Sequence, residues 1–202
     1  MLTQWLRILA VAAVALGSPA LAAAVTKVDE CADLTKAGET YVLRVDISAG
    51  PGLACFRVLA DRITVDLNGH TITGPGAVFN GQVGIWDNNQ ARTSTVVKNG
   101  SVRTFAIGLS LQLSTRSTVR GVTASDNVVG MAIGPNSLVK DCVVQRNGNP
   151  GIVTGNAVQV ENCLIGGDDD NENGGFGLVG GQRMLVTRNT ASGNGGAASW
   201  SA

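Results

Sequence analysis

The densest group of chemically capable side chains in this 202-residue chain is the stretch GGDDDNENGG, residues 166–175. Two carboxylates that flank a glycosidic bond can share the work of hydrolysis, one as acid and one as base or nucleophile. Asp168, Asp169 and Asp170 are therefore the candidate catalytic residues, although nothing around them fixes the separation such chemistry needs. The same stretch reads Asp169-x-Asn171-x-Asn173-Gly174, the first half of a calcium loop, in which alternating oxygens converge on a hard cation. The bidentate glutamate that completes such a loop is missing, since its place is taken by Gly180. Two readings stand side by side. One is a Ca2+ site at Asp169, Asn171 and Asn173 with further ligands from a neighbouring segment. The other is a solvated insertion loop. No other cofactor is indicated.

Three cations form a second candidate. Lys98, Arg120 and Lys140 each follow a valine of one repeating position. Stacked on one sheet they would lie about 5 Å apart and could track an anionic polymer such as a uronate-bearing polysaccharide. Ordinary solvated charge on flexible stems is the competing reading. His70 is the only histidine. Without a Ser, Cys or carboxylate partner it is a poor general base, and it reads as a turn residue. Triad hydrolysis and a zinc site of cysteines and histidines are disfavoured. Among the four cysteines, Cys31 and Cys55 can close a 24-residue loop as a disulfide. Cys142 and Cys163 fall at one offset in successive repeats, as a buried apolar stack with Val122 or as a disulfide across adjacent coils. Reduced or variably oxidised thiols are slightly favoured.

These residues are positioned by a repeat. Aligning Leu67, Val97, Val119, Val139, Val160 and Val186 gives steps of 30, 22, 20, 21 and 26 residues. Five positions after each marker stands another small or apolar residue, from Ile72 to Ala191. Two positions after each stands a bend-compatible residue, Gly69, Asn99, Gly121, Asp141 or Asn162, until Arg188 breaks the pattern. A second column pairs glycine with an apolar residue: Gly84-Ile85, Gly108-Leu109, Gly130-Met131, Gly151-Ile152 and Gly177-Leu178. Short strands that bury alternate side chains, turn on Asn or Gly, and return after 20–25 residues predict a parallel β-helix. Parallel crossovers make it right-handed. A leucine-rich repeat would need leucines at fixed offsets. A propeller would need repeats nearly twice as long, and a sandwich would not hold the same offsets through six copies.

The segment DRITVDLNGHTITG (61–74), followed by copies such as STVRGVTASDNVVGMAIGPN (117–136), resembles the secreted right-handed parallel β-helix proteins of the pectin-lyase-like superfamily over residues 61–194. The resemblance implies the fold. It says little of activity, because that superfamily holds lyases, hydrolases, epimerases, tailspikes and adhesins. The arginine base with calcium carboxylates of pectate lyases is not recognisable here. Nor is the Gly-His-Gly that follows the aspartates of polygalacturonases.

Residues 1–22 read as a secretory signal, with Arg7, an apolar run from Ile8 to Leu16 and the cleavage pattern Ala20-Leu21-Ala22. That run is too short to span a bilayer. The expected location is secreted or periplasmic. Residues 25–60 are expected to cap the stack, 61–196 to form the coils, and 197–202 to be a short tail or a truncated end. Fifteen basic residues balance fifteen acidic ones, which gives no drive toward nucleic acid or membranes. An open last coil would invite self-association through the C-terminal end of the stack. The function expected is a carbohydrate- or surface-interaction module with no evident catalytic constellation. The alternatives are an enzyme of the lyase, hydrolase or epimerase type acting on an acidic polysaccharide, and a structural or assembly component. Asp168 stands eight residues after its marker, where Asn127, Asn147 and Asn194 stand after theirs. The acidic stretch thus reads as one turn enlarged by about five residues. A site there would have Asn147, Asn149 and Asn194 as neighbours.

Overall fold

A computed structural model describes residues 24–76, 81–167, 172–196 and 199–200. Every regular element in them is a β-strand, and every strand pair is parallel. The chain winds as a right-handed parallel β-helix with three faces. The first face stacks Val25–Val28, Thr40–Leu43, Thr64–Asp66, the start of Val96–Arg103, the start of Thr118–Ser125, Leu138–Lys140, Gln159–Glu161 and Leu185–Thr187. The second face begins at Ile47–Ser48 and Thr71–Thr73. It takes the ends of the two eight-residue strands and continues through Val143–Gln145, Leu164–Gly166 and Thr190–Ser192. The third face is an eight-stranded sheet from Ala32–Leu34 to Ser199–Trp200.

Strand alternation explains the packing. On the first face Val65, Val97, Val119, Val139 and Val160 point inward and are fully buried, while the residues on either side of each point out. Phe56, Phe105, Leu109 and Met131 fill the same column of core from other faces. Parallel strands need a crossover rather than a hairpin, and here each crossover is the rest of the coil.

The expected markers hold from Val97 onward. The first does not: Val97 lies beside Val65, not Leu67. The corner between the first two faces is two residues longer in this coil than in the next. Asn68 and Gly69 both adopt positive φ, at 52° and 83°, to accommodate it. Gly100 lies against the extra corner, where a Cβ would fall 2.4 Å from Leu67 Cβ and 2.5 Å from the His70 carbonyl oxygen. The later coils make that corner with one left-handed residue each, Asn99, Gly121, Asp141, Asn162 and Arg188. Arg188 therefore keeps the conformation of its column, although its residue type does not advertise it.

Residues 25–60, expected as a cap, are part of the stack itself: Val25–Val28 and Ala32–Leu34 already pair in register with the coil above. The Cys31–Cys55 disulfide joins these first two coils with a Cα separation of 4.5 Å. At the other end, Ser199 and Trp200 pair with Val179 and Gly180, so the tail supplies the third-face strand that lacks the Gly-apolar signature.

A ladder of asparagines runs up the turn between the second and third faces. Asn127 Nδ2 donates to Asn147 Oδ1 at 3.0 Å, Asn147 Nδ2 to Asn173 Oδ1 at 2.9 Å, and Asn173 Nδ2 to Asn194 Oδ1 at 2.9 Å. Asn173, not Asp168, occupies the place in this column, so the inserted residues precede the ladder position instead of following it.

Candidate functional site

The outer surface of the first face carries a column of charge in strict register: Asp66, Lys98, Arg120, Lys140 and Glu161. The three expected cations do lie on adjacent strands, and an acid stands at each end of them. Lys98 Nζ is 2.9 Å from Asp66 Oδ2, and Lys140 Nζ is 3.5 Å from Glu161 Oε1. Glu161 is also held by the Arg188 guanidinium. Partial burial opposes ionisation of Asp66. Hydrogen bonds from Lys98, the Asn68 N–H and the Asn99 amide outweigh it and hold that carboxyl below its usual range. Arg120 is exposed, and among the described residues it has no carboxylate partner. Its neighbours above and below are both cations.

Asp66 escapes a reading from sequence because Leu67 is the wrong marker there. One residue after Leu67 is Asn68, whereas one residue after the true marker Val65 is Asp66.

Two residues earlier on the same outward-facing strands stand Thr118, Leu138 and Gln159, again in register. They form one wall of a groove of about 330 Å³ that crosses three coils. The other wall is the turn that feeds the first face, with Arg116, Asn136 and Ala157. This turn is a second left-handed column. Arg62, Ser94, Arg116, Asn136, Ala157 and Arg183 all have φ between 55° and 58°. Arginine and alanine rarely mark such positions, so neither the turn nor the groove shows in the sequence. Among the described residues the groove is lined by no carboxylate and no histidine. It offers amides, hydroxyls and a guanidinium, which suit recognition of hydroxyls and anions.

The remaining candidates are placed as follows. Asp168, Asp169, Asp170 and Asn171 lie outside the described residues. Asn173 is fully buried. Its Oδ1 already accepts from the Asn147 N–H and from Asn147 Nδ2. Both lone pairs of that oxygen are engaged, so Asn173 is a rung of the ladder and not a calcium ligand. Asn147 is likewise committed to the ladder. No group of three or more His, Cys, Asp or Glu among the described residues could hold a metal ion.

His70 is not without a carboxylate. Its Nδ1 lies 3.2 Å from Asp46 Oδ1, and that oxygen also accepts the Thr71 N–H at 2.9 Å. The Thr71 and His70 hydrogen bonds hold the Asp46 carboxyl below its ordinary range. Asp46 lies one coil below, in the segment expected as a cap, and is not recognisable as a partner until the register is known. Cys142 and Cys163 are free and buried. The Cys142 thiol donates to the Lys140 carbonyl at 3.1 Å, and the Cys163 thiol to the Glu161 carbonyl at 3.2 Å. No described helix is long and apolar enough to cross a membrane.

Residues 55–191 match the family model described as the right handed beta helix region. No curated protein matches the chain, and no solved structure does.

Proposed function

The chain belongs to the right-handed β-helix family, and from that premise we propose that it is an exported, non-catalytic module that holds an acidic polysaccharide on its first face. The observation that carries this reading is Arg120, exposed beside a polar groove and flanked in its column only by cations. An arginine fork binds a carboxylate through two parallel N–H···O bonds, which gives geometry as well as charge. The coils repeat about every 4.8 Å along the stack. A polymer lying along the groove therefore passes equivalent positions in Arg116, Asn136 and Ala157, and then in Thr118, Leu138 and Gln159. Hydroxyls along its length would meet Asn136 and Gln159 while a uronate carboxylate meets Arg120.

Nucleic acid fits less well. Its binding draws on many neutralised phosphates, and the two flanking lysines are already paired with acids. Export is supported by the signal pattern of residues 1–22 and by the Cys31–Cys55 disulfide, which belongs in an oxidising compartment.

The test is calorimetric titration with polygalacturonate and with a neutral glucan, at low and high salt. Unsaturated and reducing ends are assayed in the same mixtures. The expected result is salt-sensitive binding to the uronate polymer alone, weakened about tenfold or more in Arg120→Glu, with no new chain ends. Binding unchanged by Arg120→Glu would refute the site, and release of chain ends would refute the non-catalytic reading.

A further inference from the structure

We infer that Cys142 and Cys163 are a site of covalent modification, a second disulfide between adjacent coils formed by thiol–disulfide exchange during folding. Three observations carry this. The first is register. Lys140 pairs with Glu161 and Val143 with Leu164, which brackets the cysteines and sets Cys142 directly below Cys163. The strand spacing of about 4.8 Å lies within the Cα separation a disulfide accepts.

The second observation is that this chain already bridges a pair related in the same way. Ala32 pairs with Phe56 in adjacent coils, so Cys31 and Cys55 are stacked neighbours one residue earlier. They are disulfide-bonded at a Cα separation of 4.5 Å. The inter-coil step of this solenoid is thus compatible with the cross-link.

The third observation concerns the side chains. Each thiol donates to the carbonyl two residues before it, Cys142 to Lys140 and Cys163 to Glu161. The two side chains therefore leave the corner backbone in the same direction, one above the other.

The chemistry balances with an external disulfide such as oxidised glutathione. Either cysteine can open the exchange: the Cys163 thiolate, for instance, attacks one of its sulfurs and the first glutathione leaves as thiolate. The Cys142 thiolate then attacks Cys163 Sγ of the mixed disulfide and expels the second. Two protein thiols are oxidised, one external disulfide is reduced to two thiols, and the two protein protons pass to the leaving thiolates. Cys142 is 1% exposed and Cys163 3% exposed. Exchange therefore belongs to folding, before the core closes, and the finished coil shields the thiols from reagent. The bridge would join the coils that present Leu138 with Lys140 and Gln159 with Glu161. Its effect on polymer binding rests on the functional reading above. The bond itself does not.

The experiment uses the full chain, unfolded and reduced, then refolded with a glutathione redox pair. The product is denatured without reductant, labelled with a maleimide, and digested with trypsin for mass spectrometry. The expected product carries no label and yields the peptide 141–146 linked to the peptide that holds Cys163. Protein refolded without oxidant and then treated with oxidised glutathione in its native state should show no mass change at these residues. Maleimide on both Cys142 and Cys163 after oxidative refolding, with Cys31–Cys55 intact, would overturn the inference, as would linkage of either to Cys31 or Cys55. These readouts involve no polysaccharide, so they stand or fall apart from the proposed function.

Discussion

Asn147 is the rung of the asparagine ladder whose loss should cost most. It is 2% exposed. Its Oδ1 accepts the Asn127 N–H at 3.1 Å and Asn127 Nδ2 at 3.0 Å. Its Nδ2 donates to the carbonyls of Ala124 and Gln145, both at 3.1 Å, and to Asn173 Oδ1. Asn147→Ala removes all of these at once and leaves the Asn127 N–H and the Ala124 carbonyl without this partner in a dry turn. The Ala124 carbonyl keeps its place in the ladder with Val143–Gln145, so the Asn127 N–H is the group left unpaired, at about 1–3 kcal/mol, and the other bonds lost, at about 1 kcal/mol for each net contribution, bring the expected loss near 4 kcal/mol. For a domain of this size that lowers Tm by roughly 10 °C.

Asn147→Asp distinguishes a hydrogen-bond ladder from mere filling of space. The carboxylate keeps the acceptor for Asn127 but cannot donate, and it sets a negative charge against Asn173 Oδ1. It should therefore be destabilised comparably, and more so once ionised. Thermal unfolding followed by circular dichroism, with urea titration as a check on the free energy, measures both variants. If Asn147→Ala unfolds within about 0.5 kcal/mol of the parent, the ladder does not stabilise the stack and the reasoning fails.

Two further predictions are simpler. The Asp126 carboxyl is held below its usual range chiefly by the hydrogen bond from Arg146, against a smaller opposing effect of burial. Its stabilisation is thus present above the unfolded value near 3.9 and lost as pH falls through the lower folded value. The stability difference between the parent and Arg146→Gln should be full at pH 6 and shrink below about pH 4, by thermal melts across that range. Cys55→Ser opens the only inter-coil bridge described at the start of the stack. It should cost about 3 kcal/mol by urea unfolding, as expected for a loop of this length. An unchanged midpoint would mean that the first coils are not part of the cooperative unit.

What the sequence makes legible follows from what the coil constrains. Inward positions accept a narrow range of apolar residues and recur at the coil period, so Val97 through Val186 align without a structure. Corners are looser. The extra residues between Val65 and Ile72 leave the composition of the motif intact, which is why Leu67 passes for a marker and hides Asp66. The acidic stretch misleads in a related way. Counting forward from Val160 selects Asp168, but counting back from the glycine of the next strand selects Asn173, four residues before Gly177, as Asn147 is four before Gly151. The backward count gives the ladder residue because the insertion lies between Val160 and Asn173. The groove beside Arg120 has no such signature. It arises from a left-handed backbone at Arg116, Asn136 and Ala157, three residue types with nothing in common.

The charge column bears on why Arg120 points to an external ligand. A cation stacked on another at about 4.8 Å in water is repelled by just under 1 kcal/mol. Lys98 and Lys140 each relieve this with an acid from their own column, but Arg120 has a cation on both sides. Nothing within the column offsets its two repulsions, and salt screening leaves only a part of them. Arg120→Thr places a good strand former at the same exposed site. It should therefore leave stability unchanged or raise it by up to about 1 kcal/mol in low salt, with the gain vanishing at high salt, while uronate binding weakens, though less than in Arg120→Glu. A residue that costs stability when alone and is relieved only by an added carboxylate is placed for binding. If Arg120→Thr instead destabilised the protein at every salt concentration, Arg120 would belong to the scaffold, and the face would have to find its ligand elsewhere.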